Sequence, residues 1–138
     1  MTTLYEAATA AKTKPVTERI KTFEDACREL GIEKIELGIT GMDKDQASIA
    51  AYAQLIIIAR ALNEGWEPDW SDSSQYKYVP WFEHKSGFGL SFDDYGYWFT
   101  AANVGSRLCF KSKELAQYAG KQFEYLYNQF LSIKPTQK

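Results

Sequence analysis

Histidine occurs once in this chain, as His84, and cysteine twice, as Cys27 and Cys109. A zinc site built from these three would need ligands at the close spacing that zinc motifs show, and they are scattered, so no metal is expected. His84 sits in or beside a predicted turn next to Glu83, where a nucleophile and an orienting carboxylate are rarely held rigidly; a solvated turn histidine is the expectation. The two cysteines each fall in an apolar-periodic stretch and read as reduced, buried thiols. A disulfide between them would require Cα atoms within about 7 Å. Long apolar runs are also missing. The most apolar stretch, 47–62, is 16 residues long and contains Gln54 and Arg60, short of the roughly 20 residues a membrane span needs. The opening MTTLYEAATAAKTKP lacks the basic segment and apolar core of a secretory signal. Nor does one sign of charge dominate: 16 Lys and Arg stand against 18 Asp and Glu, a net charge of −2. A protein gripping phosphate backbones over its whole surface would be basic. Gly87 and Gly89 lead into an alternating strand rather than a helix N-terminus, so they do not form a phosphate loop. These absences point to a soluble, cytoplasmic chain with no membrane contact, no cofactor and no nominated catalytic residue.

Aromatic rings are what the chain has in surplus, with 4 Trp, 9 Tyr and 8 Phe in 138 residues. That content and length fit one packed domain. Residues 1–16 are expected to be weakly ordered, with Leu4, Ala7, Ala8 and Ala11 forming at most a poorly anchored turn, and 17–134 to form a single α+β domain. Ile20, Phe23, Cys27 and Leu30 recur at helical spacing, with Thr17 as N-cap, Gly31 as terminator and Glu24–Arg28 as an i,i+4 pair. Residues 32–42 read as a short strand or an extended connector. Asp43 and Gln46 have capping-box spacing, and the following residues are apolar on nearly every side. The spacing therefore predicts a central helix near 43–64.

Beyond Gly65 the periodicity changes to two. Tyr76, Tyr78, Pro80 and Phe82 share one face of an extended segment; Lys77, Val79, Trp81 and Glu83 share the other. Phe88, Leu90 and Phe92 alternate next, then Tyr97 and Phe99, then 107–110, with turn signals at 85–87, 94–96 and 103–105. The expectation is a four-stranded antiparallel meander. Pro80, lacking an N–H, puts its strand at an edge or a bulge. Ser112 and the stripe Leu115, Ala119, Phe123, Leu126, Phe130 and Ile133 predict a C-terminal helix near 112–133. The fold class is α+β: a small antiparallel four-stranded meander packed against about three helices.

Acidic pairs at Asp69/Asp72 and Asp93/Asp94 lie among Ser, Pro and Gly and read as turn-forming residues. Rings are a different matter. Trp66 and Trp70 in GWEPDW, with Tyr76, Tyr78, Trp81, Tyr95, Tyr97 and Trp98, exceed what one sheet face over one helix layer readily buries. Either the 66–75 loop folds back over the second face or some rings meet a partner. Residues 64–95 carry seven acids and two bases, whereas 104–138 carry six bases and two acids. Acid among the aromatics weakens a single-strand platform, which sets rings in a positive groove. Arg107, Lys111, Lys113 and Lys121 are the alternative, a basic surface for nucleic acid or an acidic partner.

Three segments, ERIKTFEDACRELGI (18–32), ALNEGWEPDWSDSSQYKYVPWF (61–82) and GSRLCFKSKELAQYAGKQFEYLY (105–127), resemble small uncharacterised proteins of phages and integrated mobile elements of gut Bacteroidetes. The resemblance spans about residues 17–131. That group has no established activity, so no role transfers residue by residue; the resemblance implies a phage or prophage setting, in the host cytoplasm or associated with the virion. The expected function is non-enzymatic: protein–protein binding or self-assembly through Trp66, Trp70, Tyr76, Tyr78, Trp81 and Trp98. Nucleic-acid binding through the basic C-terminal part is the disfavoured alternative. Glycan stacking ranks third and an enzyme fourth.

Overall fold

The computed structural model describes residues 14–33, 43–85, 89–98 and 106–131; within these, the side chains of residues 84–85, 89–91, 93, 98 and 106 are outside the description. The elements are α1 (Val16–Arg19), α2 (Phe23–Leu30), α3 (Lys44–Leu62), β1 (Lys77–Lys85), β2 (Gly89–Trp98), a 3-10 turn (Ser106–Leu108), α4 (Lys113–Gln122) and α5 (Glu124–Leu131). The class is α+β. The four-stranded meander over about three helices is overturned: the described residues form five α-helices and one two-stranded antiparallel sheet. The expected turn near Ala7 and most of the expected connector over 32–42 lie outside the described residues.

Both corrections have local causes. One helix from Thr17 to Leu30 does not form, because Thr22 is a stronger N-cap than Thr17. The Thr22 hydroxyl accepts from Asp25 N at 3.1 Å, and the Asp25 carboxylate accepts from Lys21 N at 3.0 Å and Thr22 N at 3.2 Å. This capping box restarts the helix. Helix α4 secures the break from outside: Tyr118 Oη donates to Ile20 O at 2.6 Å and Gln122 Nε2 to Lys21 O at 2.9 Å. The stripe is buried nonetheless at Ile20, Phe23 and Cys27. Arg28 pairs with Asp25 at 3.3 Å, and Gly31 ends α2 in the left-handed region at φ 67°. The expected C-terminal helix is likewise divided, at Phe123 (φ −112°, ψ 25°). That break falls shortly after Gly120, a residue that costs a helix about 1 kcal/mol relative to Ala. The stripe Leu115, Ala119, Phe123 and Leu126 stays buried across it.

In the sheet, two expected strands merge and a third shrinks. Phe88–Leu90–Phe92 and Tyr97–Phe99, of opposite parity, are expected to be separated by a turn over 94–96. Strand β2 instead runs straight through, with Trp81 opposite Asp94 and Phe82 opposite Phe92. Asp93 is the additional residue of a bulge, and one inserted residue returns Tyr95 and Tyr97 to the face that holds Phe92. The 107–110 strand reduces to a 3-10 turn and one bridge. Tyr78 N donates to Phe110 O at 3.0 Å and Phe110 N to Tyr78 O at 2.7 Å. Backbone groups alternate sides along a strand, so the next donor facing that edge belongs to residue 80. Proline has none, and the ladder stops there.

Tyr78, Pro80 and Phe82, opposite Tyr97, Tyr95 and Phe92, form the inner face of the hairpin, which packs on α4 and α5. Of these two helices α5 also packs on α3, whose other neighbours are α2 and the 3-10 turn. The capping box of α3 forms as the spacing predicts, with Gln46 N donating to Asp43 at 2.8 Å. Its surface is not apolar and covered all round, since Ile49 is 60% exposed. Cys27 and Cys109 are both buried, and no disulfide joins them. No helix among the described residues is long and apolar enough to cross a membrane.

Gly120 is where helix and hairpin meet most closely. A Cβ there would sit 2.3 and 2.5 Å from ring carbons of Phe92 and 2.8 Å from Pro80 Cβ. Alanine favours a helix by about 1 kcal/mol over glycine, but overpacking costs about 1–3 kcal/mol, and contacts this short lie at the costly end. Gly120→Ala is expected to lower stability by at least about 1 kcal/mol in urea unfolding. A raised midpoint would contradict the packing described.

Candidate functional site

Helix α3 ends in a corner that positions everything nearby. Asn63, buried, donates through Nδ2 to Cys109 O at 2.9 Å and accepts at Oδ1 from Lys111 N at 3.0 Å. Both polar atoms of its side chain thus hold the segment that carries Phe110 to β1. Glu64 follows with φ 48° and Gly65 with φ 88°. A left-handed glutamate is uncommon, and this one is held by Arg19 at 2.8 Å and by Lys111 at 3.6 Å. Arg19 also pairs with Glu29. The chain then leaves as the 66–75 loop.

That loop turns on its acids as expected. Asp69 accepts from Ser71 N and Oγ at 3.0 and 2.6 Å; Asp72 accepts from Ser74 N and Oγ at 2.9 and 2.6 Å. The serine bonds hold both carboxyls below their ordinary range. The loop folds back over the outer face of the hairpin at Lys77, which is fully buried. Its ammonium donates to Asp72 O at 2.9 Å and lies 5.4 Å from the centre of the Trp70 ring. One of the two alternatives for the second sheet face is therefore realised at this end.

The six expected binding residues do not share one surface. Tyr76 and Tyr78 lie on the inner-face side, where Tyr76 stacks on Tyr97 at 5.1 Å with the planes 7° apart, and Tyr78 tilts against both. Tyr78 is half-buried against the core, while Tyr76 and Tyr97 are 43% and 50% exposed. Trp81 stands on the outer face beside Val79 and Gly96, 55% exposed, with Glu83 and Asp94 exposed near it. Trp66 and Trp70 are half-buried and line a cleft of about 660 Å³ with Ile56, Arg60, Asn63 and Arg107. Trp98 pairs with Lys77 at the end of β2, and its ring lies outside the described side chains. The parity of the strand dictates this separation: residues 76 and 78 cannot share a face with 81.

The basic quartet is dispersed as well. Arg107 belongs to the cleft, Lys111 is tied to Glu64, and Lys121 sits 5.6 Å from the centre of the Phe92 ring. Lys113 and Lys121 stand at opposite ends of α4, about 12 Å apart along its axis. Sequence reasoning gave no binding role to Arg60 or Asn63. Arg60 is the one cation of the apolar stretch 47–62, and Asn63 the polar residue at the end of that helix. His84 lies near the end of β1, opposite Leu90. Among the described residues, no group of three or more His, Cys, Asp or Glu could hold a metal ion. Comparison with protein-family models, with curated proteins and with solved structures returned no match.

Two measurements check the corner. Asn63→Ala leaves Cys109 O and Lys111 N without their partner in a buried place, so a loss of about 2–4 kcal/mol is expected in denaturant unfolding. A loss below about 0.5 kcal/mol would show the bonds to be dispensable. Burial pushes the Cys109 thiol up to about 11. The unfolded thiol ionises near 8.5, so this group's contribution to stability is complete below that pH and is lost as the pH rises towards about 11. In a Cys27→Ala background, a disulfide reagent at about pH 8 is expected to label Cys109 only as fast as the protein unfolds. Immediate labelling of the folded protein would contradict a buried neutral thiol.

Proposed function

We propose that this chain is a non-enzymatic binding protein that engages another protein, its own copies included, through the exposed rings of its hairpin. The observation that carries the reading is where the rings are left: Tyr76, Trp81 and Tyr97 are 43–55% exposed, while Phe110 and Phe123 are fully buried. Large aromatic side chains outside a folded core bind partners with little conformational entropy to lose. The Tyr76–Tyr97 stack is formed before any partner arrives, which reduces that cost further. Glu83 and Asp94 flank Trp81, so a partner with a basic rim is favoured on that side. The resemblance to phage and mobile-element proteins transfers no role and would set such binding in a host cell or virion. Nucleic-acid binding has less support, since Lys111 is paired with Glu64, Arg107 belongs to the cleft, and Lys113 and Lys121 stand at opposite ends of α4.

A photo-crosslinking residue placed at Trp81 or Tyr97 is expected to give discrete protein adducts in the native host. The same residue at Glu114, exposed at the start of α4, serves as the control. Adduct mass separates a second copy from a different partner. Equal adduct yields at all three positions would overturn the reading.

A further inference from the structure

The Trp66–Trp70 cleft lies apart from the exposed hairpin rings and has no part in that reading. Its lining combines guanidinium groups with indoles. Arg60, from the last turn of α3, and Arg107, from the 3-10 turn, are both exposed, and neither forms an ion pair with another described residue. Trp66 and Trp70 are the indoles of the same cleft, with Pro68 between them in the chain. Asn63 and Cys109 also line it. Both polar atoms of the Asn63 side chain are taken by the backbone, and the Cys109 thiol is neutral, so neither competes for a ligand. Glu67 is the acidic member.

We infer that this cleft binds a free mononucleotide. Its volume of about 660 Å³ is in the range of small-ligand sites, roughly 300–1,000 Å³. Guanidinium groups match phosphate oxygens in planar, two-pronged geometry, and two of them hold a dianion. An indole face takes a flat heteroaromatic ring. The Glu67 carboxylate accepts from amino or hydroxyl donors, which a nucleoside has and a simple aryl phosphate lacks. Helix-terminus electrostatics alone would account for Arg60 at the C-terminal end of α3. They do not account for Arg107, which reaches the same cleft from a different segment.

The test titrates tryptophan fluorescence with the four common nucleoside monophosphates, with inorganic phosphate, with adenosine, and with a single-stranded tetranucleotide. The expected result is saturable quenching by at least one monophosphate at sub-millimolar to millimolar concentration. Phosphate or adenosine alone should bind at least about tenfold more weakly. Arg60→Gln with Arg107→Gln should weaken the monophosphate by at least about tenfold while unfolding as the parent does, because both side chains are exposed. Trp70→Phe should remove most of the quenching. Absence of saturable quenching by every monophosphate up to about 5 mM would overturn the inference. So would unchanged affinity in the double variant, or tight binding of the tetranucleotide alone.

Discussion

The corner from Asn63 to Gly65 holds three otherwise separate parts of the chain in one place. Asn63 has one donor and one acceptor aimed at the backbone of residues 109 and 111, and Glu64 takes Arg19 and Lys111. The segment so gripped carries Phe110, fully buried, into its bridge with Tyr78. Without that grip the hairpin would keep its contacts to α4 and α5 but lose its tie to the end of α3. A left-handed glutamate costs on the order of 1–3 kcal/mol, and the ion pairs around Glu64 help hold it there. The same corner launches the 66–75 loop and so sets the position of both cleft tryptophans.

A second constraint is the pairing of a bulge with a proline in the hairpin. The bulge at Asp93 returns Tyr95 and Tyr97 to the inner face, and Pro80 ends the ladder with Phe110 after one bridge. Together they turn a potential meander into a long two-stranded ribbon. Such a ribbon is marginal alone; it is supported by Phe82 against Tyr127 at 4.8 Å, by the close approach at Gly120, and by the Glu124 carboxylate accepting from Phe92 N at 2.8 Å. Tyr76 and Tyr97 lie at the open end of the ribbon, where they stack on each other and stay largely in solvent.

The two proposed surfaces differ in chemistry as well as place. Trp81 and the tyrosine stack offer broad apolar area with an acidic flank, suited to another protein. The cleft sets guanidinium groups beside indoles within a small volume, suited to a planar anion. Changing Arg60 and Arg107 removes no ion pair among the described residues.

Local physics was legible from the sequence. The Asp43–Gln46 capping box fixed the start of α3, Gly31 the end of α2, and Ser112 the start of α4, since each depends on residues within one helical turn. The serine-linked acids of the 66–75 loop, the edge position of Pro80 and the burial of both cysteines were readable for the same reason. The restart at Thr22 was readable too, from its spacing to Asp25, but the long apolar stripe concealed it. Other features required the fold. A bulge and a turn leave the same parity change in sequence, and only the partner strand decides between them. Whether Trp66 and Trp70 join Trp81 or separate from it depends on the path of the loop, which Lys77, Trp70 and Asp72 set from opposite sides. Arg60 and Arg107 stand far apart in the chain, and no local pattern could have placed them on one cleft. Short-range hydrogen bonds and periodicity are written residue by residue, whereas the surfaces that can bind come from which distant segments pack together.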